Sequence, residues 1–213
     1  MNYRDYKQFA PNTIQHIFNR GTDKQNILID DEDRSFFLWR LKEAVFPDLF
    51  PGKPSPGGYK KKNLPVRAFS ILAYCLMPNH FHLLIRQNSE VPITKLLSKV
   101  CTSYSKYFNK KYDRVGGLFQ DQYKTIRVEN DAYLQWVSAY IHDNPVTAGF
   151  VSNARDYEWS SMPEYAGIRK GILCEKDFIL NMLGGKSDKY EEFVVSSAPI
   201  IKSRKDIQKF LLD

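Results

Sequence analysis

Residues 66–85 read VRAFSILAYCLMPNHFHLLI. Val66 to Leu76 is rich in β-formers and predicts a central strand. Pro78-Asn79 predicts a turn, and Phe81 to Ile85 predicts the returning partner strand. Side chains alternate across a strand, so His80 and His82 share one face while Phe81 and Leu83 share the other. This hairpin is the centre on which the flanking segments must build.

Upstream, Asn12 to Phe18 predicts a short strand, ended by a turn at Asn19-Arg20-Gly21. The acidic residues from Asp30 to Asp33 suit a helix start. Ser35 to Phe46 then carries Phe36, Phe37, Leu41, Ala44 and Val45 at mostly helical spacing, and Pro47 and Pro51 close it. Gly52 to Asn63 is rich in Pro, Gly and Lys and predicts a surface loop, including the Lys60-Lys61-Lys62 run. Downstream, Pro92 to Tyr112 places Ile93, Leu96, Leu97, Val100, Tyr104 and Phe108 on one helical face, and Gly116-Gly117 breaks it. Phe119 to Val128 predicts a strand. Asp131 to His142 predicts a helix, with Pro145 just beyond its end as a stop. The order β-α-β-β-α-β, followed by a helix, predicts an α+β, ferredoxin-like sandwich with an antiparallel sheet and helices on one face. Residues 1–166 read as one domain. Residues 167–213, interrupted at Gly184-Gly185, read as a C-terminal helical appendage.

The 213 residues suffice for a sizeable core, and 43% of them are hydrophobic. Lys plus Arg outnumber Asp plus Glu by 31 to 24, a net charge of +7 that favours a polyanionic partner. Cys75, Cys101 and Cys174 lie far apart without a C-x-x-C pair, which argues against a disulfide scaffold or a structural zinc site. The first residues, MNYRDYKQF, lack the apolar stretch of a signal peptide, and nothing approaches a membrane span. The expected location is cytoplasmic.

Two clusters carry chemistry. The same-facing pair His80 and His82 can converge on one ion, or can simply satisfy polar neighbours on a half-buried sheet. Tyr140 and Asn144 lie four apart on one helix face and read as a nucleophile beside a metal ligand. Taken alone, they read first as the last packing residue of the stripe Tyr133, Trp136 and Val137, followed by a helix C-cap.

Taken together, these residues resemble a known family. Met77-Pro78-Asn79-His80-Phe81-His82-Leu83-Leu84, Leu118-Phe119-Gln120, and Tyr140-Ile141-His142-Asp143-Asn144-Pro145-Val146 with Ala148-Gly149 are similar to the REP-associated tyrosine transposases, single-tyrosine HUH enzymes. Tyr157-Glu158-Trp159-Ser160-Ser161, Tyr165, and His16 with Asn19-Arg20-Gly21 fit as well. The resemblance spans roughly His16 to Gly167. It implies His80 and His82 as metal ligands, Tyr140 as nucleophile and Asn144 as third ligand. The substrate it implies is single-stranded DNA, often with a hairpin. Gln122 departs from the family by standing where Arg is often found.

The chemistry expected is DNA strand cleavage and transfer through a 5′-phosphotyrosine, with Mg²⁺ or Mn²⁺ as cofactor and no ATP, since no G-x-x-x-x-G-K-[ST] loop is present. Arg20, Arg86, Lys106, Lys110, Lys124 and Arg127 are the candidate DNA-binding cations. The protein is expected as a monomer or homodimer. The alternative is a non-cutting, RRM-like module that holds single-stranded nucleic acid on an open, aromatic sheet face.

Overall fold

The structure is a computed structural model that describes residues 10–50 and 63–203. Its four strands are β1 (Ile14–Arg20), β2 (Phe69–Met77), β3 (His80–Gln87) and β4 (Lys124–Val128). The helices are α1 (Asp31–Val45), α2 (Ile93–Lys111), α3 (Asp131–Thr147), the single turns α4 (Met162–Tyr165) and α5 (Asp177–Leu180), and α6 (Ser187–Ser203). The sheet order is β2-β3-β1-β4, with every neighbour antiparallel. In this split β-α-β arrangement, β3 slots between the two strands that α1 connects. The ferredoxin-like α+β expectation is borne out. The predicted loop at residues 52–63 falls, apart from Asn63, outside the described residues, as does the Lys-rich end of the chain.

The element starts follow from local chemistry. Asp30 caps α1 in a capping box with Asp33. Asn130 caps α3 by accepting from the Tyr133 backbone N–H. The turn after β1 requires Gly21, where an added Cβ would lie 2.3 Å from the Gln25 carbonyl oxygen.

Three local expectations are corrected. β1 runs on through Asn19 and Arg20, because these pair with Phe81 and His80. β4 starts only at Lys124; residues before it cross the end of β1, with the Gln120 N–H donating to the Arg20 carbonyl at 2.9 Å. Pro145 does not stop α3 but lies inside it. Proline removes one backbone donor, yet the last turn still closes through the Ala148 N–H on Asn144 and the Phe150 N–H on Pro145, both at 2.9 Å.

Helices cover both faces of the sheet, not one. On the first face, Ile17, Phe81, Leu83 and Ile85 pack with Phe37 and Leu41 of α1 and with Leu96, Val100 and Tyr104 of α2. On the second, Ala73, Cys75, Met77 and Leu84 pack with Leu134, Val137 and Ile141 of α3 and with Tyr190 and Val194 of α6. The outer edge of β2 is occupied by the later chain. The Leu76 N–H donates to Trp159, the Ser161 N–H to Tyr74 and the Glu175 N–H to Ile71, at 2.8–2.9 Å.

Candidate active site

The pleat of β3 turns His80, His82 and Leu84 toward α3 and sends Phe81, Leu83 and Ile85 into the opposite core. Strand pairing sets Phe18 beside His82 and Arg20 beside His80, and β4 adds Lys124 beside Phe18. Directly paired residues share a face, so all five side chains stand on the face that carries α3. Because α3 continues past Pro145, Tyr140 and Asn144 stay on one helical lattice, one turn apart. The C-cap is Ala148, so Asn144 is not the cap.

The two clusters meet. The Asn144 Oδ1 lies 3.2 Å from His80 Nε2, and Asn144 Nδ2 lies 3.5 Å from His82 Nε2. The Tyr140 ring stands edge-on to His82, with centroids 5.3 Å apart. The His80 and His82 rings are 5.0 Å apart and nearly perpendicular. All of this lies within one chain.

His16 also joins the site. Its Nε2 is 3.0 Å from His82 Nδ1, and its ring centroid is 6.0 Å from that of Tyr140. Burial drives the His82 pKa well below its ordinary value, with His80 and His16 adding to the effect. Burial alone lowers His16 to about 3. Both rings are therefore neutral near pH 7, as a metal-binding imidazole must be.

Among the described residues, no three His, Cys, Asp or Glu side chains gather as a ligand set. A third candidate donor is the Asn144 amide oxygen, 3.2 Å from His80 Nε2. Ions held about 2.1 Å from each donor separate neighbouring donors by about 3.0 Å in octahedral and about 3.4 Å in tetrahedral geometry. The 3.2 Å between His80 Nε2 and Asn144 Oδ1 falls between those spacings. A further feature fits. His80 Nδ1 lies 2.6 Å from the Asn79 Oδ1, whose amide is oriented by Nδ2 donating to the Lys24 carbonyl. His80 Nδ1 is then the protonated nitrogen, and Nε2 faces Asn144 Oδ1 acceptor to acceptor. A cation between them, a second proton on the ring, or the Asn144 amide turned to present Nδ2 reconciles that contact.

The candidate cations separate. Arg20 lies at the His80 end of β1 and donates to Gln120 Oε1 at 3.1 Å. Lys124 is exposed, with its Nζ 5.9 Å from the Phe18 ring centroid, on the His82 face. Arg86 is six residues along β3 from His80, roughly 20 Å away. It pairs with Glu175 at 2.7 Å and lies over Phe178. Arg127 lines a cleft of 530 Å³ at the Ile14 end of β1, with Asn12, Asn130 and Phe178. Lys106 and Lys110 are exposed on α2, in the layer behind the sheet. Only Arg20 and Lys124 are brought beside the His80–His82–Tyr140 cluster.

His142 turns away from the site, as its spacing from Tyr140 predicts. It is buried, with Nδ1 2.7 Å from the Tyr190 hydroxyl of α6 and Nε2 2.7 Å from Ser161 Oγ. Trp136 packs against Phe193 of α6, with centroids 5.7 Å apart. The helix carrying Tyr140 is thus fixed to the sheet on one side and to α6 on the other. The three cysteines are free thiols.

Comparison with known proteins fits this geometry. Residues 59–144 match the family described as IS200-like transposases, a span that includes His80, His82, Tyr140 and Asn144. A Haemophilus influenzae protein provisionally named a REP-associated tyrosine transposase is 29% identical over 105 residues, which is 44% of this chain. The matched stretch spans 58% of that relative's length. A solved structure of a REP-associated tyrosine transposase bound to a REP hairpin superposes with a TM-score of 0.55. That superposition has 13% identity and covers 78% of this chain and 93% of the other, a likeness of fold.

Proposed function

We propose that this chain, a relative of the IS200-like transposases through residues 59–144, cuts and rejoins single-stranded DNA through a covalent bond to Tyr140. The observation that carries the reading is the convergence of His80, His82 and Asn144 within 3.5 Å, with the Tyr140 ring beside them.

A phenol hydroxyl has a pKa near 10 and attacks phosphorus poorly until its proton is removed. His80 Nε2, His82 Nε2 and Asn144 Oδ1 would hold a divalent cation. That cation would neutralise the scissile phosphate and stabilise the charge gained in the transition state. Neutral donors leave the full positive charge available to the phosphate. Two imidazoles suit Mn²⁺ better than Mg²⁺, which prefers oxygen. Tyr140 forms the new bond to phosphorus as the bond to the 3′-oxygen breaks. The product is a 5′-phosphotyrosine and a free 3′-hydroxyl. That hydroxyl reverses the reaction on the same or another strand, so the bond energy is conserved without ATP. Arg20 and Lys124 flank the site and would hold phosphates on either side.

The substrate reading is single-stranded DNA beside a hairpin. The solved relative with this fold is bound to a REP hairpin, and the basic balance of this chain suits such a ligand. An RRM-like module needs an open aromatic sheet face. Here α3 and α6 pack over much of the corresponding face, which argues against simple holding. Among the described residues no helix is long and apolar enough to cross a membrane.

The test is cleavage of end-labelled single strands carrying hairpins, with Mn²⁺ and with chelator. Mn²⁺-dependent cutting of single strands, but not of duplex, is expected. Binding without cutting across a broad hairpin pool would replace this reading with the holding module.

A further inference from the structure

A neutral imidazole offers one lone pair, and the partner of its other nitrogen decides which nitrogen offers it. In this site both histidines have such a partner. His80 Nδ1 meets the Asn79 Oδ1 at 2.6 Å, and His82 Nδ1 meets His16 Nε2 at 3.0 Å. The second contact is ambiguous alone, since either ring can donate. The other side of His82 resolves it. Its Nε2 lies 3.5 Å from the Asn144 amide and faces the cation position proposed above, so on that reading Nε2 holds the lone pair and the proton lies on Nδ1. His82 Nδ1–H therefore donates to His16 Nε2.

We infer that His16 is a positioning residue that fixes the tautomer and ring orientation of His82, as Asn79 does for His80. This rests on the metal-site reading above. His16 is built for the role. It is buried, as is His82, so bulk water does not reach the contact. The two rings lie 5.2 Å apart with 23° between their planes, and Phe18 closes the other flank of His16 at 5.1 Å. An isolated imidazole favours the proton on Nε2. That tautomer would block the one His82 nitrogen that faces Asn144. His16 thus selects the form able to bind a cation from a ring too buried to reorient freely.

The test uses the full chain with three variants. His16→Leu keeps bulk but removes the acceptor. His16→Asn is polar but too short to reach His82. His16→Gln can place an amide oxygen where Nε2 stood. Ring-nitrogen NMR shifts of the metal-free protein read the His82 tautomer directly, and Mn²⁺ titration reads the consequence. The expected result is Nδ1–H on His82 in the wild type and in His16→Gln, and a shift to Nε2–H in the other two. Mn²⁺ affinity should fall about 10–100-fold in His16→Leu and His16→Asn, the scale of losing an outer partner of a metal ligand, with most of it restored in His16→Gln. An unchanged His82 tautomer in His16→Leu or His16→Asn would overturn the inference, as would failure of His16→Gln to rescue. If the wild type shows no Mn²⁺ binding that His80→Ala abolishes, the metal reading fails separately, and the ring-nitrogen shifts still decide what His16 does.

Discussion

The buried histidine behind the site makes a quantitative prediction. His142 accepts and donates within a closed set, with Tyr190 and Ser161 each at 2.7 Å, and its burial lowers its pKa from 6.5 to about 3. In the unfolded chain it regains the ordinary value of about 6.5. The folded pKa is the depressed one, so the unfolded state binds more protons as pH falls below about 6.5. The stability from a neutral His142 is therefore complete above that pH and drains away toward about 3. Moving from about pH 7.5 to about pH 5.5 should cost roughly 1.4 kcal/mol from this one group. His16 and His82 are buried neutral too and push the same way, so the wild type should lose several kcal/mol over that interval. A loss of that size is a large share of the 5–15 kcal/mol of a typical domain.

The assay is urea unfolding of wild type and His142→Leu at both pH values, in chelator. The leucine variant should be less stable at either pH by about 1–3 kcal/mol, because the buried hydroxyls of Tyr190 and Ser161 each lose a partner. It should also lose about 1.4 kcal/mol less than wild type on acidification. Equal pH slopes in the two proteins would refute the reasoning, because His142 would then titrate alike folded and unfolded.

Two further outcomes test the site itself. Asn144→Ala should lower Mn²⁺ affinity by at least about tenfold, measured by titration. It should leave the melting temperature within a few degrees, since Asn144 is only half-buried and does not cap α3. Arg20→Ala and Lys124→Ala should each weaken single-stranded DNA binding and reduce the slope of log K against log salt by about 0.7. Arg86→Ala, paired with Glu175 at the far end of β3, should leave that slope unchanged.

The hairpin at residues 66–85 and the apolar stripe of residues 93–111 were legible because strand and helix periods are local properties. The His80–His82 pair was legible for the same reason, since a pleat puts alternate residues on one face whatever surrounds them. What local pattern could not supply is register between distant segments. His16 meets His82 only because β1 lies beside β3 in one particular register, a pairing across 66 residues. The hint of a role for His16 lay in the resemblance of His16 with Asn19-Arg20-Gly21 to the REP-associated tyrosine transposases. The charges divide on the same principle. Arg86 is on the same face of β3 as His82 but too far along the strand, and Lys106 and Lys110 are on a helix in the other layer. Pro145 misled because a proline near a helix end is compatible with either stopping or completing the last turn, and the tertiary packing of Ile141 and Pro145 chose the latter.

The central claim is that Tyr140 becomes covalently joined to DNA. Its most direct test is to incubate the protein with hairpin single strands and Mn²⁺, digest the denatured complex, and map the nucleotide-bearing peptide by mass spectrometry. The account predicts a 5′-phosphate on Tyr140, absent in Tyr140→Phe and absent with chelator. An adduct on another residue, or cutting that persists in Tyr140→Phe, would contradict it.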